Sequence, residues 1–134
     1  MTSKVIYSGE LRTVCTHLRS GNEFITDAPV DNNGKGEAFS PTDTVATGLA
    51  SCMLTVMGIK ARGLEVDLKG STAEVTKIMA SDPRRISEIK VRLSLPSKIS
   101  EKHRKILEHT ANTCPVHQSL HPNIKKDISF YWEQ

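Results

Sequence analysis

The side chains most able to do covalent chemistry are three cysteines, at positions 15, 52 and 114. A cysteine is a nucleophile only as its thiolate, so the question for each is what could hold the anion. Cys114 precedes Pro115 at the start of a short helical pattern. Unpaired N–H groups and the helix dipole at such a position predict a lowered thiol pKa, partly offset because Pro115 brings no N–H. Cys52 sits in the middle of an apolar helical stretch and gains nothing from a helix end. Any positive partner must come from elsewhere in the fold, and Arg12, Arg19, Arg62, His103 and His117 are the candidates. The plain alternative for Cys52 and for Cys15 is a small buried core residue. His117 follows Cys114 by three, but four ligands with metal-site spacing are not assembled, so no metal and no cofactor is expected. No phosphate-binding loop, dinucleotide fingerprint, nucleophile elbow or HExxH helix occurs. Met53, Met57 and Met79 read as core filler, and Arg84-Arg85 and Lys125-Lys126 as solvated faces.

These residues need elements to carry them. Val5 to Leu18 reads as strand, turn at Ser8-Gly9, strand, and Ser20-Gly21-Asn22 turns the chain into a third strand over 23–26. Residues 27–36, with Pro29 and two glycines, read as a loop. Ser40-Pro41-Thr42-Asp43 is a helix start. Ser40 is placed to cap, Pro41 loses nothing at the first helical position, and Asp43 reaches the free N–H groups. Val45, Leu49, Cys52 or Met53, Val56 and Ile59 form an apolar stripe, while Ala46, Ala50, Leu54 and Met57 make the opposite side apolar too. No charge falls between Thr44 and Ile59, which predicts a central helix buried nearly all round, ending at Lys60-Arg62-Gly63. Strands are predicted over 64–69, 72–79 and 89–95, the last with Ile89, Val91, Leu93 and Leu95 on one face. Ser97 or Ser100 caps a helix running to about Thr110, with Ile99, Ile106, Leu107 and Ala111 inward. A short helix follows Cys114-Pro115, and a final strand carries Ile128, Phe130 and Trp132. The fold class is α+β, with antiparallel sheets around a long buried central helix.

Size and charge set the remaining bounds. The chain has 134 residues, 37% of them hydrophobic and a formal charge of +3. That is one domain, 1–134, and its balanced charge argues for no nucleic acid. No run approaches eighteen apolar residues, which predicts no membrane span, and no apolar signal segment follows Met1-Thr2-Ser3-Lys4. The expected compartment is the cytoplasm.

The segment from Phe39 to Cys52, FSPTDTVATGLASC, resembles the central helix of the OsmC/Ohr family. Cys114-Pro115-Val116 after an amphipathic helix, and Asp27-Ala28-Pro29 before a glycine-containing loop, resemble it as well. The resemblance implies an intertwined homodimer with an OsmC-like fold and a peroxiredoxin-like hydroperoxide reductase. In this family the central-helix cysteine attacks an organic hydroperoxide, a role that falls on Cys52. The Cys-Pro cysteine resolves it as a disulfide, a role that falls on Cys114. An external dithiol is the reductant. The family also supplies an N-terminal-strand arginine held by a glutamate. Arg12 is the first choice here and Arg19 the second, but the glutamate position is filled by Thr42, and Asp43 is left to cap. That departure keeps an alternative open: a small-ligand or lipid-like binding protein without turnover.

Overall fold

The computed structural model describes residues 1–133; Gln134 lies outside the described residues. The chain divides into two compact units. The first is Met1–Val45, and the second begins at Ala46 and takes in the rest.

The first unit is a three-stranded antiparallel meander of β1 (Ser3–Gly9), β2 (Arg12–His17) and β3 (Glu23–Asp27). Its first turn lies at Glu10-Leu11, later than the predicted Ser8-Gly9. Both turn residues are left-handed, φ 53° and 64°, the mirror-image geometry that matches strand twist. Gly9, at φ 89°, takes up the register shift beside them. The Ser20-Gly21-Asn22 turn is as predicted, with Gly21 at φ 78°. The 27–36 loop holds one turn of 3-10 helix, Val30–Asn32. Gly34 is required there, because a Cβ would run into the Ala28 carbonyl. Both faces of this sheet carry exposed apolar side chains, among them Val5, Ile6, Tyr7 and Phe24.

Helix α1 runs Pro41–Leu64. Its start is a reciprocal capping box: the Asp43 N–H donates to Ser40 Oγ at 3.1 Å and the Ser40 N–H to Asp43 Oδ2 at 2.9 Å. The helix continues through Gly63, and Glu65 takes the left-handed position, φ 58°, that closes it. The Val66 N–H reaches the Ala61 carbonyl at 3.0 Å and the Glu65 N–H the Arg62 carbonyl at 3.3 Å, a Schellman motif. That motif and the turn closed by Ser71 N–H on the Leu68 carbonyl occupy 64–71, so the strand predicted over 64–69 does not form. Its alternation comes from a chain leaving a helix cap.

In the second unit, β4 (Thr72–Ala80), β5 (Arg85–Leu95) and β6 (Lys125–Trp132) form a sheet in that order. β4 and β5 are antiparallel; β5 and β6 are parallel, with Leu93 beside Phe130. The expectation of purely antiparallel sheets is corrected here. The connection holds α2 (Glu101–Asn112) and α3 (Pro115–Ser119), enough chain for a parallel crossover. A bulge at Ser87 turns Ile86 inward, extending the buried row Ile89, Val91, Leu93 and Leu95.

The side of α1 packed into this core is Ala46, Leu49, Ala50, Met53, Met57 and Ala61. Val45 and Ile59, assigned inward by spacing, are exposed, so the helix is buried on one side and not all round. Alanine and methionine decided the face because small and flexible side chains let the helix approach the sheet. By length and composition alone α1 is apolar enough to cross a membrane, with a mean hydropathy of 1.4 over eighteen residues, a test that the core helix of a soluble protein also passes. Helix α2 is capped by Ser100, whose Oγ accepts the His103 N–H at 3.3 Å, and buries Leu107 and Ala111. Arg104 ties the strand-to-helix loop together: its Nε donates to the Ile99 carbonyl at 2.8 Å, and its guanidinium lies 5.6 Å over the Trp132 ring. Trp132 Nε1 donates to Glu108 Oε2 at 2.8 Å.

Candidate functional site

The second unit brings two of the three cysteines together. Cys52 lies on α1 beside the fully buried Met53 and is itself half-buried. Cys114 stands where α2 ends and α3 begins. Its N–H returns to the Ala111 carbonyl at 3.3 Å, and Pro115 starts the next helix. Its Sγ accepts the His117 N–H at 3.3 Å, so the sulfur serves as the N-cap of α3. Cys114 is 1% exposed. The Cys52 side chain is near enough to act on the Cys114 thiol, and both cysteines are free.

The predicted lowering of the Cys114 pKa is corrected by this geometry. Burial pushes the thiol up, and the Cys52 side chain adds to the rise; the His117 N–H pulls the other way and is outweighed. A single helix turn offers too little compensation for a sulfur taken out of water. Cys114 is therefore a thiol at neutral pH. His117 is no cation either. Burial, with Lys126 nearby, holds its imidazole below the ordinary value, and what it offers Cys114 is a backbone N–H.

The first unit holds Arg12 and Cys15. Arg12 stands directly opposite Asp27 in the β2–β3 ladder, and the two side chains form a bidentate fork: Nε to Oδ1 at 2.7 Å and Nη2 to Oδ2 at 2.8 Å. Glu37 Oε1 accepts a further bond from Nη2 at 3.0 Å, and the Glu37 N–H donates to Asp27 Oδ2 at 3.2 Å. Asp27 is buried, and its carboxyl is held below the usual range, first by the hydrogen bonds from Arg12. The guanidinium is held still more firmly charged. Arg12 thus has a carboxylate clamp although Thr42 fills the expected glutamate position; the Thr42 hydroxyl instead lies 3.2 Å from Ser40 Oγ at the helix cap. Asp27 and Glu37 are the residues that sequence reasoning missed. The available signal was strand pairing: once the β2–β3 turn is placed, positions 12 and 27 share a rung. Arg19 is exposed in that turn. Cys15, half-buried on β2, lies 3.7 Å from Thr13 Oγ1 and lines a shallow cavity of about 390 Å³ with Val5 and Phe24. Among the described residues no group of three or more His, Cys, Asp or Glu could hold a metal ion.

These features define an α+β protein with a two-thiol centre: one sulfur half-buried on a long helix, the other sealed at a helix start. Residues 34–129 match the family model described as OsmC-like protein. A candidate osmotic stress induced and detoxification response protein from Psychrobacter arcticus is 58% identical over 98% of this chain and 96% of its own, with a TM-score of 0.95. An OsmC-like protein from Mycoplasma pneumoniae shares the fold at 17% identity, covering 96% of this chain and 93% of its own, TM-score 0.79. So does an organic hydroperoxide resistance protein from Legionella pneumophila, at 16% identity, 98% and 97% coverage and a TM-score of 0.73. No curated protein matches the sequence. The chain belongs to the OsmC family, whose members include proteins described as organic hydroperoxide resistance proteins.

Proposed function

We propose that this protein is a thiol-dependent peroxidase that reduces organic hydroperoxides to alcohols. The observation that carries the reading is the neighbouring pair of free thiols, with Cys52 the more accessible and Cys114 sealed. The Cys52 thiolate attacks the distal peroxide oxygen. The O–O bond breaks, the alkoxide leaves and takes a proton, and Cys52 becomes a sulfenic acid. The Cys114 sulfur then forms an S–S bond to Cys52 as the S–O bond breaks, and hydroxide leaves as water with the Cys114 proton. An external dithiol returns two electrons and restores both thiols. An anionic sulfur beside apolar side chains needs a positive partner, and that role is assigned to Arg12. Its fork with Asp27 and Glu37 supports the assignment, because an arginine so held presents a fixed charge. The alternative reading, a small-ligand or lipid-like binder, rests on the missing glutamate at Thr42, and it loses that support when Asp27 supplies a carboxylate.

A homodimer in the cytoplasm completes the proposal. Val45 and Ile59 on the open side of α1, and Val5, Tyr7 and Phe24 on the first sheet, are the apolar surface such a dimer would cover. The test is turnover of cumene or tert-butyl hydroperoxide with a dithiol reductant. Cys52→Ser abolishes it, and Cys114→Ser stops it after one turnover unless reductant reaches the sulfenic acid directly. Peptide mapping after limited peroxide treatment finds a Cys52–Cys114 disulfide with Cys15 still reduced. Absence of turnover in the unsubstituted protein overturns the reading.

A further inference from the structure

Gly48 lies one helical turn before Cys52 on α1. Side chains of a helix lean toward its N-terminus, so the Cys52 side chain reaches back over the turn that holds Gly48 and Leu49. Leu49 is wholly buried and closes that turn on the core side. Gly48 closes nothing: a Cβ built there would meet no atom within 4 Å, and its φ does not call for glycine. Gly34 is the contrast, since a Cβ there would strike the Ala28 carbonyl. Glycine inside a helix is less favourable than alanine, and at position 48 neither packing nor backbone geometry recovers the difference. Val45 and Ile59 stand seven residues before and after Cys52, two turns away in each direction, and both are exposed on its side of the helix.

We propose that Gly48 sets the substrate range of the thiol centre: the side chain it lacks leaves a notch through which a bulky, apolar hydroperoxide approaches Cys52, and Val45 and Ile59 receive its hydrocarbon part. Attack on the distal peroxide oxygen is in line, so the departing alkoxide extends away from the sulfur and needs room beyond it. A side chain at position 48 would stand in that room. Hydrogen peroxide carries no hydrocarbon and needs none of it. The inference rests on the proposed role of Cys52 as the attacking sulfur. Gly58, six residues past Cys52 on the same helix, is equally open but lies toward the C-terminus, where the Cys52 side chain does not lean.

Alanine and leucine at position 48 fill the notch, and G58A is the control. Each reduced protein is treated at pH 7 with iodoacetamide, a small reagent, or N-benzylmaleimide, a bulky one, and modification of Cys52 is timed by peptide mass spectrometry. With the bulky reagent Cys52 reacts about threefold more slowly in G48A and about tenfold more slowly in G48L, the order expected when added methylenes crowd a site. The iodoacetamide rate is unchanged in both, and G58A keeps both rates. G48A and G58A each melt about 3 °C higher, as replacing a helix-interior glycine by alanine predicts, so the slowing is not a loss of fold. If G48L does not fold, G48A carries the comparison. In turnover, the position-48 variants lose rate with cumene hydroperoxide and keep it with hydrogen peroxide. No slowing with either reagent, or equal slowing with both, overturns the proposal; equal slowing with a melt that depends on protein concentration would put a second copy of the chain against Gly48 instead. Alkylation needs no peroxide, so a protein without turnover overturns the peroxidase reading while the ratio of the two alkylation rates still decides this one.

Discussion

The two three-stranded sheets of this protein use apolar side chains in opposite ways. In the sheet of β4, β5 and β6, Ile89, Val91, Leu93 and Leu95 are wholly buried beneath α1 and α2. In the sheet of β1, β2 and β3, Val5, Ile6, Tyr7 and Phe24 lie open, and the buried side chains are Thr26 and Asp27. The first arrangement is held by packing. The second is held at its end by a charged fork that packing did not build. Order in the N-terminal unit is thus a matter of geometry and protonation, and order in the other unit is a matter of volume.

The contrast can be broken most forcefully in the packed sheet. Leu93→Ala leaves a cavity where no exposure existed and costs about 2–5 kcal/mol in urea unfolding. A smaller loss would mean that the sheet is less tightly filled than it stands. The charged fork is tested by acid. Arg12 holds the Asp27 carboxyl below its ordinary value, so the stability it contributes is complete above the unfolded value of about 3.9 and is lost as pH falls through the lower folded value. Asp27→Asn removes that part of the acid slope in pH-dependent melting; an unchanged slope would assign it to other carboxylates. Ser40→Ala opens the capping box of α1 and costs about 1 kcal/mol, read as a shift in the urea midpoint without a change in slope. Glu65→Gly relieves a left-handed side chain at the other end of that helix and adds about 0.5 kcal/mol. Val5→Ala, on the open sheet, costs below about 0.5 kcal/mol in a monomer. A larger cost that grows with protein concentration would show the face covered in the proposed dimer.

Much of this arrangement was legible beforehand, and the misreadings share a cause. Residues that speak through local chemistry were read well: Ser40 and Asp43 as a cap, Gly21 as a turn, Ser100 as a helix start, Pro115 at a first helical position. Residues whose meaning depends on the far side of the fold were not. The alternation over 64–69 looks like a strand, but the αL residue Glu65 and the bonds back to Ala61 and Arg62 come first. The two apolar sides of α1 were nearly equal in hydrophobicity, and shape chose between them. β6 pairs in parallel because of what intervenes, which periodicity does not report. At the site, the cysteine pair was visible from its contexts. The carboxylates on Arg12 were not, because a family position pointed to residue 42 while the ladder placed Asp27 opposite. The sign of the Cys114 shift was misjudged because burial, the larger effect, is a tertiary property.

Trp132 is the chain's single tryptophan, and its ring is pinned by Arg104 above and Glu108 at its nitrogen. Its emission is therefore a built-in optical gauge for the docking of α2 on β6, and the strands before Val45 contribute no indole signal. Fluorescence melts set beside far-ultraviolet dichroism would compare the unfolding of the second unit with that of the whole chain, with no label added.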